Sequence, residues 1–170
     1  PNWYYTLELP EEFSEYFVLP MITPKELAEE LRKIGKEDLA AEFDDQEFVG
    51  LSVLAMGWCW AVYLAQITLE DLAEQADPQV FGANKRLIEG GYVPQPKIDK
   101  ELIHFEYIDD FGIIGVKRSG ARSLVAEAKS KLVATLREKG FDVHKEQFMK
   151  ADGGESRIKT IGVEFQNNPP

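Results

Sequence analysis

The sequence predicts an α+β fold, an antiparallel sheet with helices packed on one face. Three observations predict it. Runs rich in aromatic and β-branched residues open the chain, at Trp3 to Leu9 and Phe13 to Leu19, and read as two strands around a Pro10-Glu11-Glu12 turn. Two later stretches, Ala61 to about Ala76 and Ala121 to Leu136, repeat apolar residues at three-and-four spacing and read as helices. Between them, Phe105 to Val116 holds two β-favouring runs that meet at Asp109 and Asp110, as two strands meet at a tight turn.

Pro20 and Pro24 end the second strand, and Pro24-Lys25-Glu26-Leu27 begins a charged helix running to about Lys33. Gly35 to Gln46 is acidic and polar, a solvated loop containing a second acid pair, Asp44-Asp45. Phe48 to Leu54 returns to strand character. Gly57, set among large residues, implies close backbone approach or an unusual backbone angle. The first long helix has a broad apolar face that includes Leu64, Ala65, Leu69 and Leu72. Asp77 to Lys100 reads as a long connection with at most a short helix near Asn84 to Glu89. Ser119 caps the second long helix and Gly140 ends it. Phe141 to Lys145 offers a strand, Lys150 to Glu155 a charged turn, and Arg157 to Phe165 a strand or hairpin. Residues 167–170 read as a disordered or truncated end.

Composition narrows the function. At 170 residues and 44% hydrophobic the chain can bury one substantial core. It has no apolar run of membrane-spanning length, no signal peptide is expected from its opening residues, and its single cysteine, Cys59, permits neither an internal disulfide nor a cysteine-based zinc site. An intracellular location without membrane contact is the expectation. His104 and His144 lack metal-helix spacing and have no nucleophile to serve, so both read as strand or surface residues. Acids outnumber bases 30 to 19, for a net charge of −11, which opposes strong phosphate binding by this chain alone. The abrupt start at Pro1-Asn2-Trp3 suggests a piece of something longer.

The acid pair leaves two readings open. Aspartate is a common turn residue, so Asp109-Asp110 suits a plain polar turn. Alternatively, two carboxylates held together repel unless a cation lies beside them, and hard oxygen ligands suit magnesium, which takes one or two protein carboxylates plus substrate phosphates.

Five stretches in order resemble the palm of reverse transcriptases, the RNA-directed DNA polymerases of retroviruses and retroelements. Tyr107-Ile108-Asp109-Asp110 matches the family's Tyr-x-Asp-Asp hairpin. Leu54-Ala55-Met56-Gly57-Trp58, with Gln66 further along, is similar to its Leu-Pro-x-Gly-Trp segment and helix. Trp3 to Pro10 resembles the segment just after the first catalytic aspartate, the helix ending at Gly140 with Lys145 beyond resembles the next segment, and Thr160-Ile161-Gly162-Val163-Glu164 resembles the primer-gripping hairpin.

The resemblance implies a right-hand polymerase palm with a ferredoxin-like core over residues 1–166, performing nucleotidyl transfer from a deoxynucleoside triphosphate to a primer 3′-hydroxyl with two magnesium ions, or manganese in their place. Asp109 is then a direct metal ligand and Asp110 the supporting acid of the same metal site. Tyr4 stacks under the sugar, or is a core aromatic on a strand. Met56 and Gly57 line the nucleotide pocket, and Tyr107 contacts nucleotide or template-primer. Gln66 touches the template, or is an ordinary polar helix residue. Lys145 acts as an acid toward pyrophosphate, or is a solvated lysine. The implied partners are an RNA or DNA template with its primer, together with the fingers, thumb and RNase H domains of a longer protein. The first catalytic aspartate is expected just before Pro1, so the fragment alone is expected to be inactive. Ala55 stands where the family has proline, and Ala61-Val62 where it has Ser-Pro. A decayed palm serving as an interaction module, and another two-metal enzyme such as a nucleotide cyclase, are the alternatives.

Overall fold

A computed structural model describes residues 3–88, 90–91, 94, 102–115, 121–147, 157–160 and 163–166. They fall into two compact units, Asn2–Ala61 and Val62–Pro170. The class is α+β, helices with two-stranded antiparallel sheets.

In the first unit, α1 (Pro24–Lys33) begins with a capping box. The Thr23 hydroxyl accepts from Glu26 N at 3.2 Å, the Glu26 carboxylate accepts from Thr23 N at 2.9 Å, and Pro24 occupies a position that needs no N–H. A five-residue helix, α2 (Glu37–Ala41), interrupts the stretch expected to be loop. Beyond it Asp44 is taken up by Arg32, whose Nη2 lies 2.7 and 2.5 Å from its two oxygens, so the first acid of the second pair serves surface charge pairing.

The strands expected at Trp3 to Leu9 and Phe13 to Leu19 are 3₁₀ turns instead, Trp3–Thr6 and Glu11–Phe17. Local hydrogen bonding explains the change: the Thr6 and Ser14 hydroxyls each donate to a carbonyl three residues back, at 2.6 and 2.7 Å, and so stabilise tight turns. Phe13 and Phe17 thereby both meet the Trp58 ring, with centroids 6.3 and 5.0 Å away. Strand pairing shrinks to isolated bridges, Glu8 to Val53 and Val18 to Gly50, so the strand expected over Phe48 to Leu54 is likewise reduced.

The second unit holds α3 (Ala61–Ala76, whose first residue closes the other unit), α4 (Pro78–Phe81), β1 (Leu102–Tyr107), β2 (Asp110–Gly115), α5 (Ala121–Glu138), β3 (Arg157–Thr160) and β4 (Val163–Gln166). Both long helices lie where periodicity put them. On α3 the buried positions Ala65, Leu69, Leu72 and Ala73 form one stripe; on α5 Ala128, Leu132 and Leu136 repeat every fourth residue. Helix α5 packs on β2 and ends before Gly140, where Phe141 N donates to Leu136 O at 2.9 Å. Asp77 caps α4, accepting from Gln79 N and Val80 N at 3.0 and 3.2 Å. The short helix expected near Asn84 is a 3₁₀ turn, Ala83–Lys85. Phe141 to Lys145 forms no strand: its first amide is spent closing α5, and none of the described strands runs alongside it. The terminal hairpin is present, Arg157 opposite Gln166 and Thr160 opposite Val163. Ser119, the charged turn at 150–155 and residues 167–170 lie outside the described residues. Among the described residues no helix is long and apolar enough to cross a membrane.

Candidate functional site

Strands β1 and β2 form the hairpin expected from sequence, with Leu102 opposite Gly115 and Tyr107 opposite Asp110. Ile108 and Asp109 are the two turn residues. Because side chains alternate along a strand, Asp110 shares a face with Tyr107, Phe105 and Gly112, while Glu106, His104 and Phe111 belong to the other. Asp109 is exposed and Asp110 half-buried, so the acid pair sits where a charged ligand can reach it.

The turn carries strain. Ile108 has φ +59°, a region that a β-branched side chain adopts only at a cost of about 1–3 kcal/mol, and one that two-residue hairpins usually fill with glycine or asparagine. Gln66, on α3, holds it there. Its Oε1 accepts from Ile108 N at 2.8 Å, and its Nε2 donates to Glu106 O at 3.2 Å, so one amide grips the backbone on the β1 side of the bend at two points. The same Nε2 donates to Glu70 Oε1 at 2.8 Å, one helical turn along α3. Glu70 in turn pairs with Arg86. Burial raises the pKa of the Glu70 carboxyl, but the Arg86 guanidinium and the Gln66 amide outweigh it and hold it below the ordinary carboxylate value.

Beneath the turn lies a buried polar pair. His104 is fully buried, and its Nδ1 stands 2.8 Å from Glu106 Oε1, within ion-pair distance though off the axis of a good hydrogen bond. Its ring stacks on Phe111 at a centroid distance of 5.8 Å and meets Phe81 edge-on at 5.4 Å. The His104 carbonyl accepts from Leu87 N at 2.7 Å, which ties the segment after Arg86 to β1. His104 is thus a strand residue, as the sequence suggested, but an interior one.

Of the residues singled out from sequence, Gln66, Tyr107, Asp109 and Asp110 come together at this hairpin. The Gln66 amide is occupied by hairpin backbone and Glu70. Lys145 lies exposed in an irregular segment of the same unit. Tyr4, Met56 and Gly57 belong to the first unit. Tyr4 is half-buried in a 3₁₀ turn, where its carbonyl accepts from Leu7 N at 3.3 Å; Met56 is 56% exposed. Gly57 has φ +99° and open space where a Cβ would go, so of its two explanations the unusual backbone angle is the one that holds.

Glu70, Arg86, His104 and Glu106 do not stand out in the sequence as site residues. The available signals are short-range: Gln66 and Glu70 are four apart on a helix, and His104 and Glu106 two apart on a strand, so each pair shares a face.

Two adjacent carboxylates fit a magnesium ion that is shared with phosphate oxygens rather than caged by protein. Among the described residues there is no group of three or more His, Cys, Asp or Glu that could hold a metal, so a closed protein cage is not what the turn offers. Comparison of the chain with protein-family models, with curated proteins and with solved structures gives no match.

Proposed function

We propose that this chain forms the palm portion of an RNA-directed DNA polymerase, a reverse transcriptase, in which Asp109 and Asp110 hold magnesium, or manganese, for nucleotidyl transfer to a primer 3′-hydroxyl. The observation that carries this reading is the antiparallel hairpin with Tyr107-Ile108-Asp109-Asp110 at its turn, Tyr107 and Asp109 exposed and the bend braced from α3. Metal bound there would neutralise triphosphate charge and lower the pKa of the attacking hydroxyl. The chain's own residues do the rest: the turn presents two carboxylates, Gln66 fixes the bend, and Tyr107 stands on the face of Asp110, where a primer end would lie. Template with primer and deoxynucleoside triphosphate are the substrates. On this reading a longer protein supplies a further metal-binding aspartate, and also the positive charge that this chemistry needs, since the chain itself carries −11.

Primer extension tests it. In a longer polypeptide that supplies that aspartate and a basic fingers segment, the chain is expected to extend a primer on an RNA template in a magnesium-dependent manner. Asp109→Asn should cost at least about 4 kcal/mol of transition-state stabilisation, roughly a thousandfold in rate. Extension unchanged by that substitution would remove Asp109 from the chemistry.

A second reading, a palm that keeps its fold but serves only as an interaction module, is favoured by the small donor set, two carboxylates at the turn. It expects no extension and no metal-dependent gain in stability even when the further aspartate is present.

A further inference from the structure

We propose that Glu70 and Arg86 are positioning residues for the acidic turn: their ion pair fixes the direction of the Gln66 amide, and Gln66 so directed holds Ile108 in its strained conformation. The inference rests on the polymerase reading only for what the turn is used for; the positioning itself stands on geometry. Gln66 makes three contacts at the turn and beside it, and their polarities agree. Nε2 donates to Glu106 O and to Glu70 Oε1, and Oε1 accepts from Ile108 N. Reversing the amide would set oxygen against a carbonyl and a carboxylate, and an NH₂ group against an N–H. Every contact would become repulsive.

Glu70 adds a full charge to that preference, and Arg86 keeps the charge in place. Their side chains are only 28% and 18% exposed, so solvent does not screen the pair as it would on an open surface. Arg86 is itself anchored, since its backbone bridges to His104 on β1 and Leu87 N donates to the His104 carbonyl. The relay therefore runs from β1 through Arg86, Glu70 and Gln66 back to the turn at the end of β1. It closes a loop beside the turn end of β1, and it holds the backbone from which Asp109 follows directly.

Amide hydrogen exchange by NMR reads this directly. Glu70→Ala and Arg86→Ala are expected to speed exchange of the Ile108 amide by about tenfold or more while Leu69 and Leu72 in α3 keep their protection. Arg86→Lys, which retains the cation, should restore much of it, and Gln75→Ala, exposed on the same helix, should change nothing. Should an alanine variant fail to fold, Glu70→Gln answers the same question, because it keeps the size and an acceptor oxygen but removes the charge that pairs with Arg86; it too should speed exchange of the Ile108 amide. Ile108 exchange unchanged in these variants, or rising only in step with Leu69 and Leu72, overturns the proposal. Manganese added to the same samples separates it from the metal reading. Faster Ile108 exchange with no paramagnetic broadening at Asp109 and Asp110 in any sample keeps the relay and removes manganese binding by this chain alone; broadening with unchanged exchange keeps the metal and overturns the relay.

Discussion

Phe105 lies across the backbone of Gly112, its partner on the neighbouring strand, so closely that a Cβ added to the glycine would meet the ring at 2.1 Å. The ring covers the cross-strand space that a side chain at 112 would otherwise fill, one residue pair below Tyr107 and Asp110 on that face. Phe105 is itself 9% exposed, which leaves the ring little room to retreat. Gly112→Ala is expected to destabilise the chain by about 1–3 kcal/mol through overpacking. Combining it with Phe105→Leu should recover part of that loss, and strictly additive costs in denaturant unfolding would show that the two do not compete for space.

His104 and Glu106 should be costly to separate. His104→Ala leaves a buried carboxyl group facing a void, for an expected loss of about 3–5 kcal/mol. Replacing both with leucine removes the polar groups together and is expected to cost less than His104→Ala alone. Urea midpoints of the three proteins decide it.

Ile108→Gly should be nearly neutral. Relief of backbone strain, about 1–3 kcal/mol, offsets the lost burial of a half-buried side chain and the glycine entropy. Ile113→Gly, on β2 without that strain, should cost several times more. Equal costs at the two positions, measured by thermal unfolding, would mean that the turn stores no strain.

Asp77 makes stability depend on acid. The Lys131 ammonium, 2.8 Å away, is the main reason that its pKa lies below the ordinary carboxylate value; burial works against it, and the capping N–H groups of Gln79 and Val80 add to the lowering. A carboxyl with a lowered folded pKa contributes fully above its unfolded pKa, near 4, and loses that contribution as pH falls through its folded value. Asp77→Ala should cost about 0.5–2 kcal/mol at neutral pH, with the gap from the parent chain closing toward pH of about 2. A gap that stays constant over that range in chemical denaturation would show that the charge of Asp77 is not what stabilises α4.

Nucleic-acid binding should be weak in the isolated chain. With 30 acids against 19 bases it lacks the cations that grip a phosphate backbone, so fluorescence anisotropy with a primer-template duplex should show no saturable binding at about 0.15 M salt. Tight binding by the isolated chain would overturn the view that the grip comes from elsewhere in a longer protein.

Legibility in the sequence depends on distance along the chain. The hairpin at Asp109 and Asp110 is readable because β-favouring runs flank a turn, and its paired residues all lie within the stretch from Leu102 to Gly115. The capping of α1 is equally local, spelled by Thr23, Pro24 and Glu26. By contrast, Trp3 to Leu9 and Phe13 to Leu19 carry the same aromatic and branched residues as real strands, yet hydroxyl-to-carbonyl bonds at Thr6 and Ser14 turn them into 3₁₀ structure. Strand propensity expresses a fit to neighbours, and among the described residues no adjacent strand pairs along those runs.

Residue type and spacing are enough to set the α+β class, the span of α3 and α5 through their periodic apolar stripes, the acid-tipped hairpin and the excess of negative charge. It takes the folded chain to reveal that Gln66 holds the Ile108 amide 42 positions away, that Arg86 steadies it through Glu70, and that His104 faces Glu106 in the interior. The first two contacts join residues on separate elements, and the third depends on what packs over its strand. Nothing in the order of a chain records which of its polar groups will be buried against one another.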